Sequence, residues 1–528
     1  MEYKPTIGLE IHAELRTNSK MFCSCKNDPD EKRPNYNICE ICAAQPGTLP
    51  VANEEAIKKA IKTGLALNCR IAEVSKFDRK NYFYPDLPKG YQISQYDKPL
   101  CEEGYLEIHQ SKSEIRNPKT ETNPKSKILN LKSKRVRIRR IHIEEDTGSL
   151  VHPEGADYSL VNLNRAGVPL MELVTEPDIE SGAEAKKFAE ELQLILRYLR
   201  VSNADMEKGG MRVEVNISLS KSEARNPKSK TNSKLKIKNS KLGTKVEIKN
   251  LNSFKVVEKA VDFEIQRQKK ILEAGEKVIQ ETRGWDDKKE ATFSQREKEE
   301  AHDYRYFPEP DLPLMNFGEK YIESIKAEIS ELPASKRERF EREYGLDEKS
   351  IEIFIVNKDL SEYYEKIVSE FEKWIGHDSH SEKVNSEKEK KLHKLVANYL
   401  ISDLLGILSG KEFIENELKI TAENFAEFIK MIYEEEISSK VAKMVLAEMV
   451  NTGNDPSNIV DEHNWRQIQD AGELEKIIKN VLEKNQKAIK DYQSGNKNAL
   501  QFLAGQIMKE TRGTADPKKV REILDKII

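Results

Sequence analysis

The chain has 528 residues, and its 88 lysines and arginines nearly balance its 91 aspartates and glutamates, for a net charge of −3. At about 150 residues per domain, this length predicts three or four domains. A charge this close to neutral gives no overall signal of a nucleic-acid partner, so any RNA-binding surface must be local. No apolar stretch reaches the ~18 residues of a membrane span, and residues 1–14 lack the pattern of a leader. We therefore expect a cytoplasmic protein with no membrane partner.

The first predicted strand carries Glu10 and His12 on one face, because apolar residues alternate with them over residues 7–12. Residues two apart on a strand lie roughly 6.6 Å apart, so both side chains can reach one cation or its water shell. A later strand, over residues 212–219, alternates in the same way and places Glu214 on its polar face.

A further strand, over residues 136–148, ends on the consecutive acids Glu144, Glu145 and Asp146. Its apolar alternation slips by one residue near 139–140, which predicts a β-bulge. Adjacent carboxylates repel one another, so three in a row favour either a bound cation or open water. The alternation itself is also typical of the solvated face of an antiparallel sheet, and only the acid triplet favours a metal.

Four of the six cysteines form two close pairs, Cys23 with Cys25 and Cys39 with Cys42, separated by thirteen residues. This spacing predicts a structural Zn²⁺ site with four thiolate ligands. Free or redox-active thiols are the alternative, since nothing in the sequence indicates the oxidising compartment that disulfides need.

Between residues 77 and 95, Arg79 and Lys80 precede three consecutive aromatic residues, and prolines and a glycine then exclude a long helix. Basic residues beside aromatic rings can hold phosphate and stack a base. An aromatic run is also typical of packing, and the sequence leaves both interpretations open.

Two lysine-rich segments resemble each other: residues 112–119 read KSEIRNPK and residues 221–228 read KSEARNPK. Neither has strand or helix periodicity, so we interpret them as low-complexity loop insertions, near 111–133 and 220–242. Their lysines are typical of a solvated surface, and contact with RNA is the alternative.

Helices are predicted to back the sheet. Ser181 and Glu184 form a capping box before one apolar stripe, and a longer helix begins near Ser253 and ends at Gly275. Strands with backing helices predict an α+β cradle domain over residues 1–294, with a mostly antiparallel sheet.

The rest of the chain is predicted to be all-α. We expect a helical domain over residues 295–410, in which the polar stretch 376–391 is a loop, and a separate helical tail over residues 411–528. From Lys484 onward the tail has ten basic residues against five acidic ones, a local excess that suits RNA.

Six motifs in this order resemble one family, the B subunits of the tRNA-dependent amidotransferase. They are IGLEIH at 7–12, FDRKNYFYPD at 77–86, HIEED at 142–146, NLNR at 162–165, KNLNS at 249–253 and DYRYFPEP at 303–310. The resemblance covers nearly the whole chain apart from the two insertions. In this family the four cysteines occur in only some members.

The resemblance implies a ligase that forms carbon–nitrogen bonds with glutamine as the nitrogen donor. It implies ATP-dependent phosphorylation of the side-chain carboxylate of Asp-tRNA(Asn) or Glu-tRNA(Gln), followed by amidation with ammonia. The ammonia would come from an amidase A subunit, and a small C subunit would complete a heterotrimer. The implied cofactors are ATP and Mg²⁺.

The resemblance also implies roles for residues. Glu10, His12, Glu144, Glu145 and Glu214 would hold Mg²⁺ in the cradle domain. Arg79 and Lys80 would face the nucleotide phosphates, and the tail would bind the tRNA.

Two other classes of protein compete with this interpretation. A non-catalytic tRNA-binding scaffold would use the acids only as a solvated sheet face. An aminoacyl-tRNA synthetase would carry His-x-Gly-His or Lys-Met-Ser-Lys-Ser strings, and the sequence contains neither.

We predict that the lysine-rich insertions are dispensable for turnover, because their composition cannot offset the entropy of ordering them. Deletion of residues 112–132 or 221–241 should leave kcat and KM for aminoacyl-tRNA close to those of the full chain. A loss of tRNA affinity that becomes milder at high salt would instead identify the insertions as RNA-binding arms.

Overall fold

A computed structural model describes residues 3–109, 133–221, 243–297, 304–375, 382–410, 413–468, 470–494 and 496–528. The two predicted insertions therefore lie almost wholly outside the described residues. The chain divides into two compact units, a sheet unit (Met1–Leu332) and a helical unit (Pro333–Ile528). Among the described helices, none combines the length and apolar composition that a membrane crossing requires.

The sheet unit contains short and long strands interspersed with helices. The strands are β1 (Tyr3–Glu14), β2 (Arg70–Ile71), β3 (Val74–Ser75), β4 (Asp78–Asn81), β5 (Tyr91–Ser94), β6 (Cys101–His109), β7 (Ser133–Glu145), β8 (Ser149–Val151), β9 (Leu160–Asn162), β10 (Pro169–Thr175), β11 (Met211–Lys221), β12 (Val246–Leu251), β13 (Glu281–Asp286), β14 (Ala291–Glu297), β15 (Phe307–Pro308) and β16 (Met315–Asn316). The helices are α1 (Glu54–Ala66), α2 (Gly182–Tyr198), α3 (Phe254–Glu273) and α4 (Glu319–Ala327).

A nine-stranded sheet forms the centre of this unit, in the order β14-β13-β12-β11-β1-β10-β7-β6-β2. Its described strand pairs are antiparallel except β12 with β13. Strands β15, β4 and β5 form a separate small sheet, and β16 pairs with β3. The predicted α+β class with a mostly antiparallel sheet is confirmed.

Alternation along the central strands separates an apolar face from a polar face. Ile7, Leu9 and Ile11 of β1 are buried in the main core, which also contains residues of α1, α2 and α3. Polar residues of β1 therefore lie on the opposite face of the sheet. The helices thus cover the apolar face of the sheet, and the polar face is the one that carries Glu10 and His12.

The predicted helix ends are confirmed. Ser181 Oγ accepts a hydrogen bond of 3.2 Å from the backbone N–H of Glu184, and Ser253 caps α3 in the same way. Gly275, just after α3, has a φ of +82°, which favours glycine.

The predicted β-bulge is also confirmed. On β10, the adjacent residues Val174 and Thr175 pair with Arg140 and Ile138 of β7. Arg139 is therefore an extra residue on β7, and the bulge shifts the alternation of every residue that follows it.

Both insertions join paired strands. His109 at the end of β6 pairs with Ser133 at the start of β7, and β11 pairs with β12 on the two sides of the second insertion. The prediction that the insertions are loops concerns residues outside the described ranges and stays a prediction.

In its described residues, the helical unit consists of α-helices, two π-helical segments (Phe340–Tyr344 and Tyr399–Leu404) and a 3₁₀ turn at Glu415–Glu417. The α-helices are α5 (Pro333–Arg339), α6 (Glu348–Val356), α7 (Lys358–Ile375), α8 (Glu382–Asn398), α9 (Leu405–Ile407), α10 (Ala422–Tyr433), α11 (Ser439–Thr452), α12 (Pro456–Glu462), α13 (Ala471–Lys484), α14 (Gln486–Gln493), α15 (Lys497–Glu510) and α16 (Pro517–Ile527).

The prediction of a loop over residues 376–391 is wrong for residues 382–391, which begin α8. Glutamate and lysine dominate this stretch, and both have high helix propensity, so polarity alone was a misleading sign of a loop. Residues 376–381 lie outside the described residues.

The last four helices share an apolar cluster that includes Leu474, Ile478, Leu503, Ile507 and Leu524. Closer to the N-terminus of the helical unit, α10 packs against α7 and α8. The hydroxyl of Tyr363 on α7 donates a hydrogen bond to the carbonyl of Ile420, just before α10. Residues after about 468 therefore have apolar packing of their own within the helical unit.

Candidate active site and cysteine centre

The polar face of the sheet brings acids from several strands into register. On this face, His12 of β1 is directly opposite Glu172 of β10, and Glu10 is directly opposite Glu214 of β11. Directly opposite residues have Cβ atoms only about 5 Å apart, so the register by itself gathers these side chains.

The first carboxylate group joins His12, Glu144 and Glu172. The Nε2 of His12 lies 3.3 Å from Oε2 of Glu172 and 3.6 Å from Oε1 of Glu144. His142 Nε2 lies 3.2 Å from the same Glu172 oxygen, and Lys80 Nζ lies 4.0 Å from Oε2 of Glu144. Glu144 and Glu172 are only 2% and 7% exposed, so this is not a solvated sheet surface.

The charges in this group stabilise one another. Burial alone would raise the pKa of Glu144, but the charge of Lys80 and the imidazole of His142, whose Nε2 lies 3.8 Å from Oε2 of Glu144, outweigh burial and lower the pKa to about 2. Burial alone would lower the pKa of His12, but the hydrogen bond with Glu172 and the nearby carboxylate charges raise it to about 9. The carboxylates are therefore ionised and attract positive charge, part of which His12 and Lys80 supply.

The second carboxylate group joins Glu10, Glu214 and Glu247, with one oxygen from each lying within 4.8 Å of the others. Lys249 Nζ lies 2.9 Å from Oε2 of Glu214 and 3.6 Å from Oε1 of Glu247. Lys249 thus forms ion pairs with two of the three carboxylates in this group.

The second group fits a divalent cation. Burial and the charges of Glu172, Glu214 and Glu247 raise the pKa of Glu10, although Asn216 donates a hydrogen bond of 2.9 Å to it. The Oδ1 of Asn216 is buried and has no hydrogen-bond partner among the described residues. Carboxylate oxygens are the ligands that Mg²⁺ prefers, and a cation among the three carboxylates would relieve their repulsion.

Of the five predicted Mg²⁺ ligands, Glu145 lies in neither group. Its Oε1 accepts a hydrogen bond of 3.0 Å from the backbone N–H of Ile93, and its carboxylate forms an ion pair with Lys89. Neighbouring residues on a strand point to opposite faces, so Glu145 cannot follow Glu144 into the first group.

The same alternation separates the two predicted phosphate-binding residues. Lys80 reaches Glu144, as described above, whereas Arg79 donates hydrogen bonds of 2.7 and 2.8 Å to Glu309. The guanidinium of Arg79 also lies 4.3 Å from the ring centroid of Tyr91. Of the two residues, only Lys80 lies beside one of the two carboxylate groups of the candidate site.

Aromatic residues lie beside Lys80. Its Nζ is 5.2 Å from the ring centroid of Tyr304, which packs edge-on against Tyr306 and Tyr82. Tyr306 in turn stacks on Tyr96, with ring centroids 4.3 Å apart. The aromatic run at residues 82–84 is therefore only partly packed, since Phe83 remains 82% exposed.

Sequence reasoning missed two members of the groups, Glu172 and Glu247. Glu172 is the lone acid in an apolar strand, and Glu247 lies in the short strand β12. Three residues beside the groups were also missed as site residues, although each lies two positions from a group member on its own strand: His142, Asn216 and Lys249. Strand alternation could have indicated each side chain, but it could not show which strands are neighbours.

The predicted cysteine centre is assembled in the described structure. Sulfur–sulfur distances from Cys42 are 3.4 Å to Cys23, 3.8 Å to Cys25 and 3.8 Å to Cys39, and none of the four is in a disulfide. Four thiolates around Zn²⁺ at about 2.3 Å are themselves about 3.8 Å apart, so the arrangement fits tetrahedral zinc. Such an ion would hold together a loop that has little apolar core of its own.

Comparison with known proteins gives two family matches. The family profile described as "GatB/GatE catalytic domain" matches residues 5–323, and the one described as "GatB domain" matches residues 380–528. The B subunit of the aspartyl/glutamyl-tRNA(Asn/Gln) amidotransferase of Persephonella marina is 44% identical over 528 residues, which cover the whole of both chains. The corresponding protein of Thermotoga maritima is 44% identical over 533 aligned positions, covering 100% of this chain and 99% of the relative.

The chain belongs to the family of amidotransferase B subunits. The profile of the catalytic domain spans both carboxylate groups and the cysteine centre, since all of these residues lie between positions 10 and 247. The second profile spans most of the helical unit, including the cluster formed by the last four helices.

We predict that the reduced protein binds about one equivalent of zinc at the cysteine centre. Cys42→Ser should lose the metal, because three thiolates and a hydroxyl bind zinc more weakly. Cys69→Ser, a buried cysteine outside the centre, is the matched control and should keep the metal. Elemental analysis with thiol titration measures this, and less than about half an equivalent with all four thiols reactive would contradict the site.

Proposed function

We propose that the two carboxylate groups form the site at which this protein phosphorylates the side-chain carboxylate of Asp-tRNA(Asn) or Glu-tRNA(Gln). The observation that carries the proposal is the gathering of five carboxylates on one sheet face, where oxygens of Glu10, Glu214 and Glu247 come within 4.8 Å of one another. A solvated surface or a tRNA-binding scaffold has no need of such an arrangement, which is costly without bound positive charge.

The chemistry explains why a phosphorylation site is needed. A carboxylate is a poor electrophile without a leaving group, so ammonia does not attack it directly. Transfer of the γ-phosphoryl group of ATP to a carboxylate oxygen releases ADP and gives an acyl phosphate. Attack of ammonia on the acyl carbon then forms the amide and releases phosphate.

The residues of this site would position the anions that must meet. Mg²⁺ held by Glu10, Glu214 and the first group would neutralise the phosphate oxygens and the charge that develops between them. Lys80, which lies beside Glu144, would approach a phosphate as a point charge. The tyrosines beside Lys80 offer ring faces for a base of the nucleotide or of the tRNA.

The family resemblance supplies the proposed partners. Amidation of the acyl phosphate needs a source of ammonia, which we assign to an amidase A subunit, with a small C subunit completing a heterotrimer. We assign tRNA binding to the tail, where the basic excess and the separate apolar cluster of the last four helices coincide.

We predict that Glu144→Gln and Glu10→Gln each lower ATP-dependent phosphorylation of mischarged tRNA by roughly 10²-fold or more. Each change keeps the side-chain size but removes an anionic ligand from one group. The measurement is acyl-phosphate formation in the reconstituted complex, beside glutamine hydrolysis, which belongs to the partner polypeptide and should survive.

The matched control is Glu107→Gln, an exposed glutamate of β6 that pairs with Arg135. It should leave phosphorylation unchanged. Glu145→Gln should cost less than Glu144→Gln, because Glu145 lies in neither group. If Glu10, Glu144 and Glu214 all tolerate glutamine with phosphorylation intact, the kinase site lies elsewhere.

We predict that neutralising the tail weakens tRNA binding more than it slows chemistry. The triple change of Arg512, Lys518 and Arg521 to glutamine removes exposed charges of the tail. It should raise KM for aminoacyl-tRNA several-fold with little change in kcat, because remote contacts chiefly supply binding that substrate and transition state share.

The salt dependence of tRNA binding provides a second readout, since each lost phosphate contact reduces the slope of log K against log salt by about 0.7–0.9. Changing Lys255, Lys277 and Lys288, exposed lysines of the sheet unit, to glutamine is the charge-matched control. Equal effects of both triple changes on tRNA affinity would refute a binding role specific to the tail.

A further inference from the structure

The cysteine loop, residues 23–42, is attached to the NLNR turn, which we define as residues 162–168. Asn164 makes the main attachment and is only 1% exposed. Its side chain accepts hydrogen bonds of 2.8 and 3.0 Å from backbone N–H groups at 36–37 and donates others of 2.8 and 3.2 Å to carbonyls at 31–33. These four hydrogen bonds of the side-chain amide are all directed to the cysteine loop.

Lys20 makes a second attachment. Its side chain is fully buried, and its Nζ donates to the carbonyls of Asn37 at 2.7 Å and Leu163 at 3.3 Å. The same ammonium lies 3.6 Å from the sulfur of Cys42. Zinc with four thiolates has a net charge of about −2, so a buried ammonium at this position would compensate part of it.

The other side of the NLNR turn is attached to the end of β7. Arg165 donates to Oδ2 of Asp146 at 2.6 Å and also forms an ion pair with Glu14. Backbone hydrogen bonds reinforce the attachment, from Asp146 N–H to Val168 at 2.8 Å and from Gly167 N–H to Asp146 at 2.9 Å. Asp146 lies two residues after Glu144, so its position helps to set that of the first carboxylate group.

We propose that the cysteine loop is a clamp that holds the NLNR turn against β7 and thereby positions Glu144 for phosphoryl transfer. Asn164 is a positioning residue in this arrangement, because its side chain bonds to the loop and acts on the site through Arg165 and Asp146. The inference rests on the proposed function of the carboxylate groups, and it gives the cysteine centre a role in the reaction rather than in stability alone.

The test compares Cys42→Ser, Asn164→Ala and the double variant in the reconstituted complex, with Cys69→Ser as the matched control. Each single change should lower kcat for phosphorylation by roughly tenfold to hundredfold, because a small misplacement of the site is costly, and should leave KM for aminoacyl-tRNA nearly unchanged. The double variant should be no slower than the slower single variant, because both changes release the same clamp. Asn164→Ala should retain zinc.

Hydrogen exchange supplies a readout that does not depend on activity. In both single variants the backbone amides of Asp146 and Gly167 should exchange faster, while Cys69→Ser should match the unmodified chain. Multiplicative losses of kcat in the double variant, or unchanged exchange at these amides, would overturn the clamp.

Arg165→Gln keeps the test decisive if the loop variants do not fold. It breaks the contact with Asp146 while leaving the cysteines and Asn164 intact, and it should lower kcat with zinc still bound.

Glu144→Gln separates the two proposals. If Glu144→Gln is inactive while Asn164→Ala and Arg165→Gln both keep full kcat, only the clamp fails. If Glu10→Gln, Glu144→Gln and Glu214→Gln are all fully active, the proposed function fails.

Discussion

Electrostatic repulsion among carboxylates gathered on one sheet face is the constraint on which the site depends. Five of them lie on one face of the sheet, with two histidines and two lysines as the nearby counter-charges: Glu10, Glu144, Glu172, Glu214 and Glu247, with His12, His142, Lys80 and Lys249. The two groups respond differently. The first lies beside basic groups that keep the pKa of Glu144 low, whereas the pKa of Glu10 in the second is raised by burial and by its acidic neighbours. The second group is thus the one whose charge most needs an added cation.

The backbone produces this concentration of charge by simple means. Strand alternation assigns each polar residue to one face, and antiparallel register then sets Glu10 beside Glu214 and His12 beside Glu172. The bulge at Arg139 resets the alternation on β7, so that His142 and Glu144 share the face of the site while Glu145 turns toward Lys89. Helices pack against the opposite face of the sheet. Lys80 lies on β4 of the small sheet, which positions its ammonium beside Glu144.

Much of the sheet unit could be predicted from local patterns, because those patterns have local causes. Alternation located the long strands and the bulge, and the caps at Ser181 and Ser253 located the helices. The sequence patterns do not show which strands are neighbours, because strand order is a property of the whole fold. Glu172 and Glu247 are therefore recognised as site residues only from the positions of β10 and β12 in the sheet. The helix at residues 382–391 was missed because glutamate and lysine suit a solvated helix as well as a loop. Only Lys80 of the predicted pair Arg79 and Lys80 reaches the carboxylates, because neighbouring residues on a strand point to opposite faces.

The central claim is that both carboxylate groups bind divalent cations, and anomalous diffraction from crystals grown with Mn²⁺ and a non-hydrolysable ATP analogue tests it most directly. Manganese prefers the same oxygen ligands as Mg²⁺ and has a measurable anomalous signal. The account predicts manganese in contact with Glu10, Glu214 and Glu247, a second ion in contact with Glu144 and Glu172, and loss of that second ion in Glu144→Gln crystals. Nucleotide bound with no manganese at one or both of the groups would contradict the claim.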